Sequence, residues 1–141
     1  MVHARRILIV DDEPDITDIF KLAIESSDSL VKVDAFNDPS LALANYKPGL
    51  YDLIMLDVYM PQMNGLNLCN KIKSVDSNAK VCFITASEPL YDDRTREEIF
   101  FKVDKDLIIQ KPVSVEELED RINKLLVTRN TNNNNVNNST T

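Results

Sequence analysis

Four times along this 141-residue chain an unbroken apolar run stops at a residue with chemistry of its own. Ile7-Leu8-Ile9-Val10 meets Asp11-Asp12-Glu13-Pro14, and Leu53-Ile54-Met55-Leu56 meets Asp57. Val81-Cys82-Phe83-Ile84 meets Thr85, and Leu107-Ile108-Ile109 meets Gln110-Lys111-Pro112. Runs rich in Ile, Val and Leu without polar alternation fit strands buried on both faces, as in a parallel sheet. Segments of helical period separate them, so the expected class is α/β, with strand and helix alternating. Right-handed crossovers then put every strand's carboxyl end on one edge of the sheet, where open α/β sheets bind ligands. Asp11, Asp12, Asp57, Thr85 and Lys111 are expected together on that edge.

Ile16, Ile19, Phe20, Ala23 and Ile24 follow an i, i+3, i+4 stripe and give the first helix a buried face. Leu30 to Ala35 reads as the second strand. Asn37-Asp38-Pro39 opens a helix running to about Tyr46, which Lys47-Pro48-Gly49 stops. Another helix follows Asn64-Gly65, with Leu66, Cys69 and Ile72 toward the core. A helix from about Leu90 to Lys102 is anchored by Tyr91, Ile99 and Phe100. Ser114 and Glu117 form a capping-box signature for the last helix, striped by Val115, Leu118, Ile122, Leu125 and Leu126. From Asn130 onward the chain is Asn, Thr and Ser around the lone aliphatic Val136. Such a stretch buries too little to offset its ordering entropy, so residues 129–141 are expected as a disordered Asn-rich tail or linker stub after a domain spanning 5–128.

The formal charge of −7 and the dispersed lysines argue against nucleic-acid binding by this chain. No targeting signal or membrane-spanning apolar run is visible, and Cys69 and Cys82 lie among apolar residues without metal-ligand spacing. Both read as core residues of a reduced, cytoplasmic protein.

The adjacent acids Asp11 and Asp12 repel unless a cation or hydrogen-bond donors hold them, which makes a hard divalent ion such as Mg²⁺ their natural partner. The plainer alternative is that Asp12 caps the following helix, with Pro14 in its first turn. Asp57 stands at the rigid end of a strand, before a loop whose Pro61 and Gly65 re-aim the chain. Carboxylates act as nucleophiles toward phosphorus when the repulsion between anions is screened. Asp12 and Asp57 would share one Mg²⁺, with Asp11 as a close or water-mediated ligand. Lys111 would pair with phosphoryl oxygens, and the Thr85 hydroxyl would donate to another. At ~4 Å and a surface-like dielectric one such pair is worth roughly 4 kcal/mol before desolvation. The plainer roles are a Lys111 salt bridge balancing a buried Asp57 and a back-bonded strand residue at Thr85.

With these residues in hand the chain resembles the receiver domain of two-component response regulators, over roughly Arg5 to Thr128. The likeness rests on Asp11-Asp12, the segment Asp57-Val58-Tyr59-Met60-Pro61-Gln62-Met63-Asn64-Gly65, Thr85-Ala86 and Lys111-Pro112, in the family's order and spacing. It implies a flavodoxin-like (βα)5 three-layer sandwich with strand order 2-1-3-4-5, a doubly wound sheet of the kind that binds its ligand where the strand order reverses. It further implies that Asp57 accepts a phosphoryl group from a sensor histidine kinase, and that Mg²⁺ is held by Asp11, Asp12, Asp57 and the backbone carbonyl of Tyr59. Thr85 and Lys111 then contact the phosphoryl group, Ala86 and Ile108 belong to the switch, and Lys111-Pro112 is a cis peptide. The only catalysis implied is on the chain's own aspartate, and the downstream protein target is unspecified.

The chain also departs from the family pattern. Ile108 stands where many receivers carry an aromatic switch residue, and Phe101 to Asp106 lacks the small Gly-Ala pair common before the fifth strand. Tyr59 and Ser87 occupy positions that in the family influence how water reaches the phosphoryl group. Three rival readings remain: a phosphorylation-independent pseudo-receiver, which would be expected to have lost one of the five site residues; a metal-dependent phosphohydrolase, whose Asp-x-Asp acid is replaced by Tyr59; and a flavin- or nucleotide-binding protein, whose phosphate loop is replaced by acids.

Overall fold

A computed structural model of the chain describes residues 4–86 and 103–139, the last twelve of these as backbone only. Strands β1 (Arg5–Val10), β2 (Val31–Phe36), β3 (Leu53–Asp57), β4 (Val81–Thr85) and β5 (Ile108–Gln110) alternate with helices α1 (Pro14–Ser27), α2 (Pro39–Ala44), α3 (Gly65–Val75) and α4 (Val115–Ser139). All strand pairs are parallel, in the order β2-β1-β3-β4-β5. The expected helix over 90–102 lies outside the described residues, as does Ser87. Among the described residues no helix is long and apolar enough to cross a membrane.

Strand alternation sorts the apolar runs into two cores. Leu8, Val10, Ile54, Leu56, Phe83 and Ile108 face α2 and α3 with Ala42, Leu68 and Ile72. Ile7, Ile9, Met55, Cys82, Ile84 and Ile109 face α1 and α4 with Phe20, Ile24, Leu118 and Ile122. Cys69 and Cys82 are free and buried in different cores, so they serve as packing residues.

Several local expectations shift. In α1 the buried face is Thr17, Phe20 and Ile24, while Ile19 is 53% exposed. Successive helical residues are rotated by about 100°, which carries Ile19 off the face centred on Phe20. In α3 the central residue is Leu68 beside Cys69 and Ile72, and in α4 Val115 of the predicted stripe is exposed. Helix α2 ends at Ala44, with Asn45 as its C-cap. Leu107 closes a short 3-10 turn and β5 begins only at Ile108. Ser114 does cap α4, its hydroxyl accepting from the Glu117 amide at 3.1 Å. Helical backbone continues to Ser139.

The outer edge of β2 is covered by α1. The carbonyl of Leu30 accepts from the Arg5 amide of β1 and that of Phe36 from Asp11 just after it, so Val33, at odd spacing from both, directs its peptide groups away from β1. Its N–H donates to Glu25 at 2.8 Å, and its carbonyl accepts from Lys21 at 2.7 Å. At the opposite edge Arg121 of α4 donates to the Ile108 carbonyl at 2.8 Å. Occupied edge groups are poor templates for an added strand.

Candidate functional site

Asp11 follows β1, Asp57 and Thr85 end β3 and β4, and Lys111 follows β5, so register alone assembles them at the carboxyl edge. The parallel pairing sets Val10 beside Leu56 and Asp57 beside Ile84. Carboxylate oxygens of Asp11, Asp12 and Asp57 lie within 4.8 Å of one another. The Lys111 ammonium donates to Asp11 at 2.8 Å and stands 3.7 Å from Asp57. The simple salt-bridge alternative for Lys111 names Asp57, whereas its shorter contact is to Asp11.

Asp57 is 4% exposed. Burial pushes its carboxyl up to about 7; the charges of Asp11 and Asp12 push the same way, while Lys111 and the Tyr59 backbone N–H oppose them. Burial favours neutral Lys111, yet the Asp11 hydrogen bond and the surrounding carboxylates outweigh it and hold the ammonium protonated beyond its ordinary range. Three crowded carboxylates facing one ammonium leave negative charge over, and an all-oxygen donor set suits a hard divalent cation. The residues therefore fit Mg²⁺.

Asp12 does not cap α1. The N-cap is Glu13, which makes no side-chain capping bond, and the Glu13 amide donates instead to the Asp11 carboxylate at 3.0 Å. Asp12 is left half-buried at the acid cluster. Tyr59 is 61% exposed, so most of its side chain meets solvent. Lys111-Pro112 is cis, as the resemblance implies. Ala86 is half-buried and packs against the α2–α3 core, in which Ile108 is a buried member.

The Thr85 hydroxyl is buried and has no hydrogen-bond partner among the described residues. The back-bonded alternative for Thr85 thus finds no support there. A buried hydroxyl without a partner is costly, and an anionic oxygen arriving at Asp57 would supply one. Thr85→Val should leave the unphosphorylated protein as stable as before, or about 1 kcal/mol more stable. It should also blunt the stabilisation that beryllofluoride with Mg²⁺ confers. Urea denaturation with and without that phosphoryl mimic checks both; a marked loss of stability in the mimic-free protein would show that the hydroxyl is already partnered.

An apolar groove of about 400 Å³ lies beside the site, lined by Ile16, Ile19, Phe20, Pro112, Val113 and Val115 and reaching Ala86 and Lys111. Sequence reasoning misses it, because it assigns Ile19 and Val115 to helix cores, and their period carries no mark distinguishing a core face from its exposed flank.

Known proteins share this architecture. Residues 7–123 match the model of the response regulator receiver domain. The response regulator ArlR of Staphylococcus saprophyticus is 33% identical over 123 residues, covering 86% of this chain and 52% of the relative. The transcriptional regulatory protein TrcR of Mycobacterium tuberculosis is 31% identical over 121 residues, covering 86% and 45%. The chain thus spans about half the length of these relatives. Among solved structures, the response regulator TrrA of Thermotoga maritima, in complex with Mg²⁺ and BeF, is 29% identical with a TM-score of 0.68, covering 86% of this chain and 98% of that one. A CheY-like receiver from Methanospirillum hungatei, at 23% identity and a TM-score of 0.73 over 91% and 98%, shares the fold. By its family match, its flavodoxin-like topology and its strand-end residues, this chain belongs to the response regulator receiver domains, signalling modules of two-component systems.

Proposed function

We propose that Asp57 accepts a phosphoryl group from the phosphohistidine of a sensor kinase or phosphotransfer protein, and that the new charge switches binding to a downstream protein. The observation that carries this is the buried Asp57 carboxylate set among two further acids, an ammonium 3.7 Å away and, on the neighbouring strand, a buried hydroxyl with no partner among the described residues. An Asp57 oxygen forms a bond to phosphorus while the phosphorus–nitrogen bond to the donor's imidazole breaks, its electron pair leaving on nitrogen. Lys111 gives charge to the phosphoryl oxygens and Thr85 gives a hydrogen bond. Asp12 and Asp57, with Asp11 beside them and the Tyr59 carbonyl, would hold Mg²⁺. When bound, the ion neutralises charge on the transferring group. The proposed working unit is residues 5–128, with 129–141 as an appended tail or linker, in a cytoplasmic protein that acts as a switch and turns over no external substrate.

The groove beside Lys111 suits the phosphodonor, because a protein delivering phosphorus to Asp57 must lie over this edge. Wild-type protein should be labelled by acetyl phosphate with Mg²⁺ and should lose the label when EDTA is present from the start. Ile19→Glu should keep that labelling while slowing transfer from a phosphorylated histidine protein at least several-fold. Metal-independent labelling would overturn the metal assignment, and absence of labelling would leave a pseudo-receiver. Equal slowing with both donors would remove the groove from donor docking.

A further inference from the structure

The acid pair hangs from a turn whose helix has no side-chain N-cap, so something else must fix it. Asn37, just beyond β2, donates from Nδ2 to the Asp11 carbonyl at 2.8 Å and to the Thr17 hydroxyl at 2.9 Å. Thr17 is 1% exposed, and its hydroxyl donates to the Pro14 carbonyl at 3.0 Å. The residue before Asn37, Phe36, accepts the Asp11 amide at 3.1 Å. Asp11 is therefore held at both ends of its backbone by consecutive residues, and its carboxylate is held by Lys111 and the Glu13 amide. The Asp11 carbonyl belongs to the peptide that joins Asp11 to Asp12. Fixing its plane sets the direction in which Asp12 leaves the strand.

We infer that Asn37 and Thr17 form a latch that positions Asp12 for cation binding, although neither belongs to the acid cluster. The inference rests on the proposed Mg²⁺ site. It also accounts for a hydroxyl on the buried face of α1, where an aliphatic residue would pack without needing partners: Thr17 accepts from Asn37 while donating to the first turn. Asn37 is exposed, so truncating it opens no cavity. What it removes is the donor that orients the Asp11–Asp12 peptide. Partners that orient metal ligands from outside the coordination sphere typically govern affinity by an order of magnitude or more.

The test is a Mg²⁺ titration of the full chain, followed by the amide resonances of residues 11–13 and 57, for wild type, Asn37→Ala, Thr17→Val, Thr17→Ser and Asp12→Asn. Asn37→Ala should weaken Mg²⁺ binding about tenfold. Thr17→Val should weaken it less, and Thr17→Ser, which restores the hydroxyl, should return close to wild type. The Asn37→Ala and Thr17→Val changes combined should cost less than the product of their separate effects, because both break one network. In metal-free buffer the Asp12 and Glu13 amides of Asn37→Ala should exchange with solvent faster than in wild type. If wild type binds Mg²⁺ and Asp12→Asn weakens it while Asn37→Ala lowers only the melting temperature, the latch is overturned and the metal site stands. If neither wild type nor Asp12→Asn binds Mg²⁺, the metal reading falls and takes the latch with it.

Discussion

Asp57→Asn should take up no label from acetyl phosphate and Mg²⁺, and should still fold. The carboxamide keeps the size of the carboxylate but offers no anionic oxygen to attack phosphorus. Folding should even gain in metal-free buffer at neutral to alkaline pH. The Asp57 carboxyl is raised from 3.8 to about 7 by burial first and the neighbouring acids next, so the folded state disfavours its ionised form. Wild-type stability associated with this group is fully present below the unfolded value and is lost as pH rises through the folded one. Asn does not titrate and escapes that loss, so its advantage should open between pH 4 and 7 and persist above. Lys111 keeps its 2.8 Å contact to Asp11 in the variant, which limits what is forfeited. Phosphate incorporation followed by intact-protein mass measures the first outcome, and urea unfolding at several pH values measures the second. Labelling of Asp57→Asn equal to wild type would sink the assignment of the phosphoacceptor.

What is legible from sequence alone has a physical reason. Ile7 to Val10, Leu53 to Leu56 and Val81 to Ile84 are apolar throughout, which marks strands buried on both faces, and each is followed by its functional residue. The handedness of crossovers then leaves one edge on which Asp11, Asp57, Thr85 and Lys111 can meet. Side-chain direction cannot be read this way. Ile19 is as apolar as Phe20 yet stands in solvent, because one residue of helical rotation separates face from flank. Asn37 and Thr17 escape notice for a related reason. Asn37 reads as part of a helix start, and Thr17 interrupts an apolar stripe. Their bond spans twenty positions and exists only once β2 lies beside β1. The preference of Lys111 for Asp11 over Asp57 likewise depends on distances that spacing along the chain does not encode.

Gly65→Ala should be the most damaging of the small substitutions. The residue opens α3 after Asn64, whose side chain caps the helix by accepting from the Asn67 amide at 2.9 Å. Its own amide donates to the Val58 carbonyl at 2.7 Å, drawing the helix start back against the end of β3. A Cβ built there collides with the Asp57 carbonyl oxygen and comes within 3.0 Å of the Asp57 carbonyl carbon and 3.1 Å of the Val58 Cα. All three are backbone atoms of the strand end, so no rotamer change relieves the crowding. Gly65 has no positive φ, so the requirement for glycine is close approach. Relief must come from moving either α3 or the peptide that carries the phosphoacceptor. Overpacking of this kind should cost about 3 kcal/mol. It should appear as a lower urea midpoint at unchanged denaturant slope. Labelling of Asp57 should slow as well, since moving that peptide shifts the carboxylate from Lys111 and Thr85. An unchanged midpoint would show that the loop from Tyr59 to Asn64 yields freely. Slowed labelling at wild-type stability would place the accommodation in the Asp57 peptide itself, separating the geometry of the site from the stability of the fold.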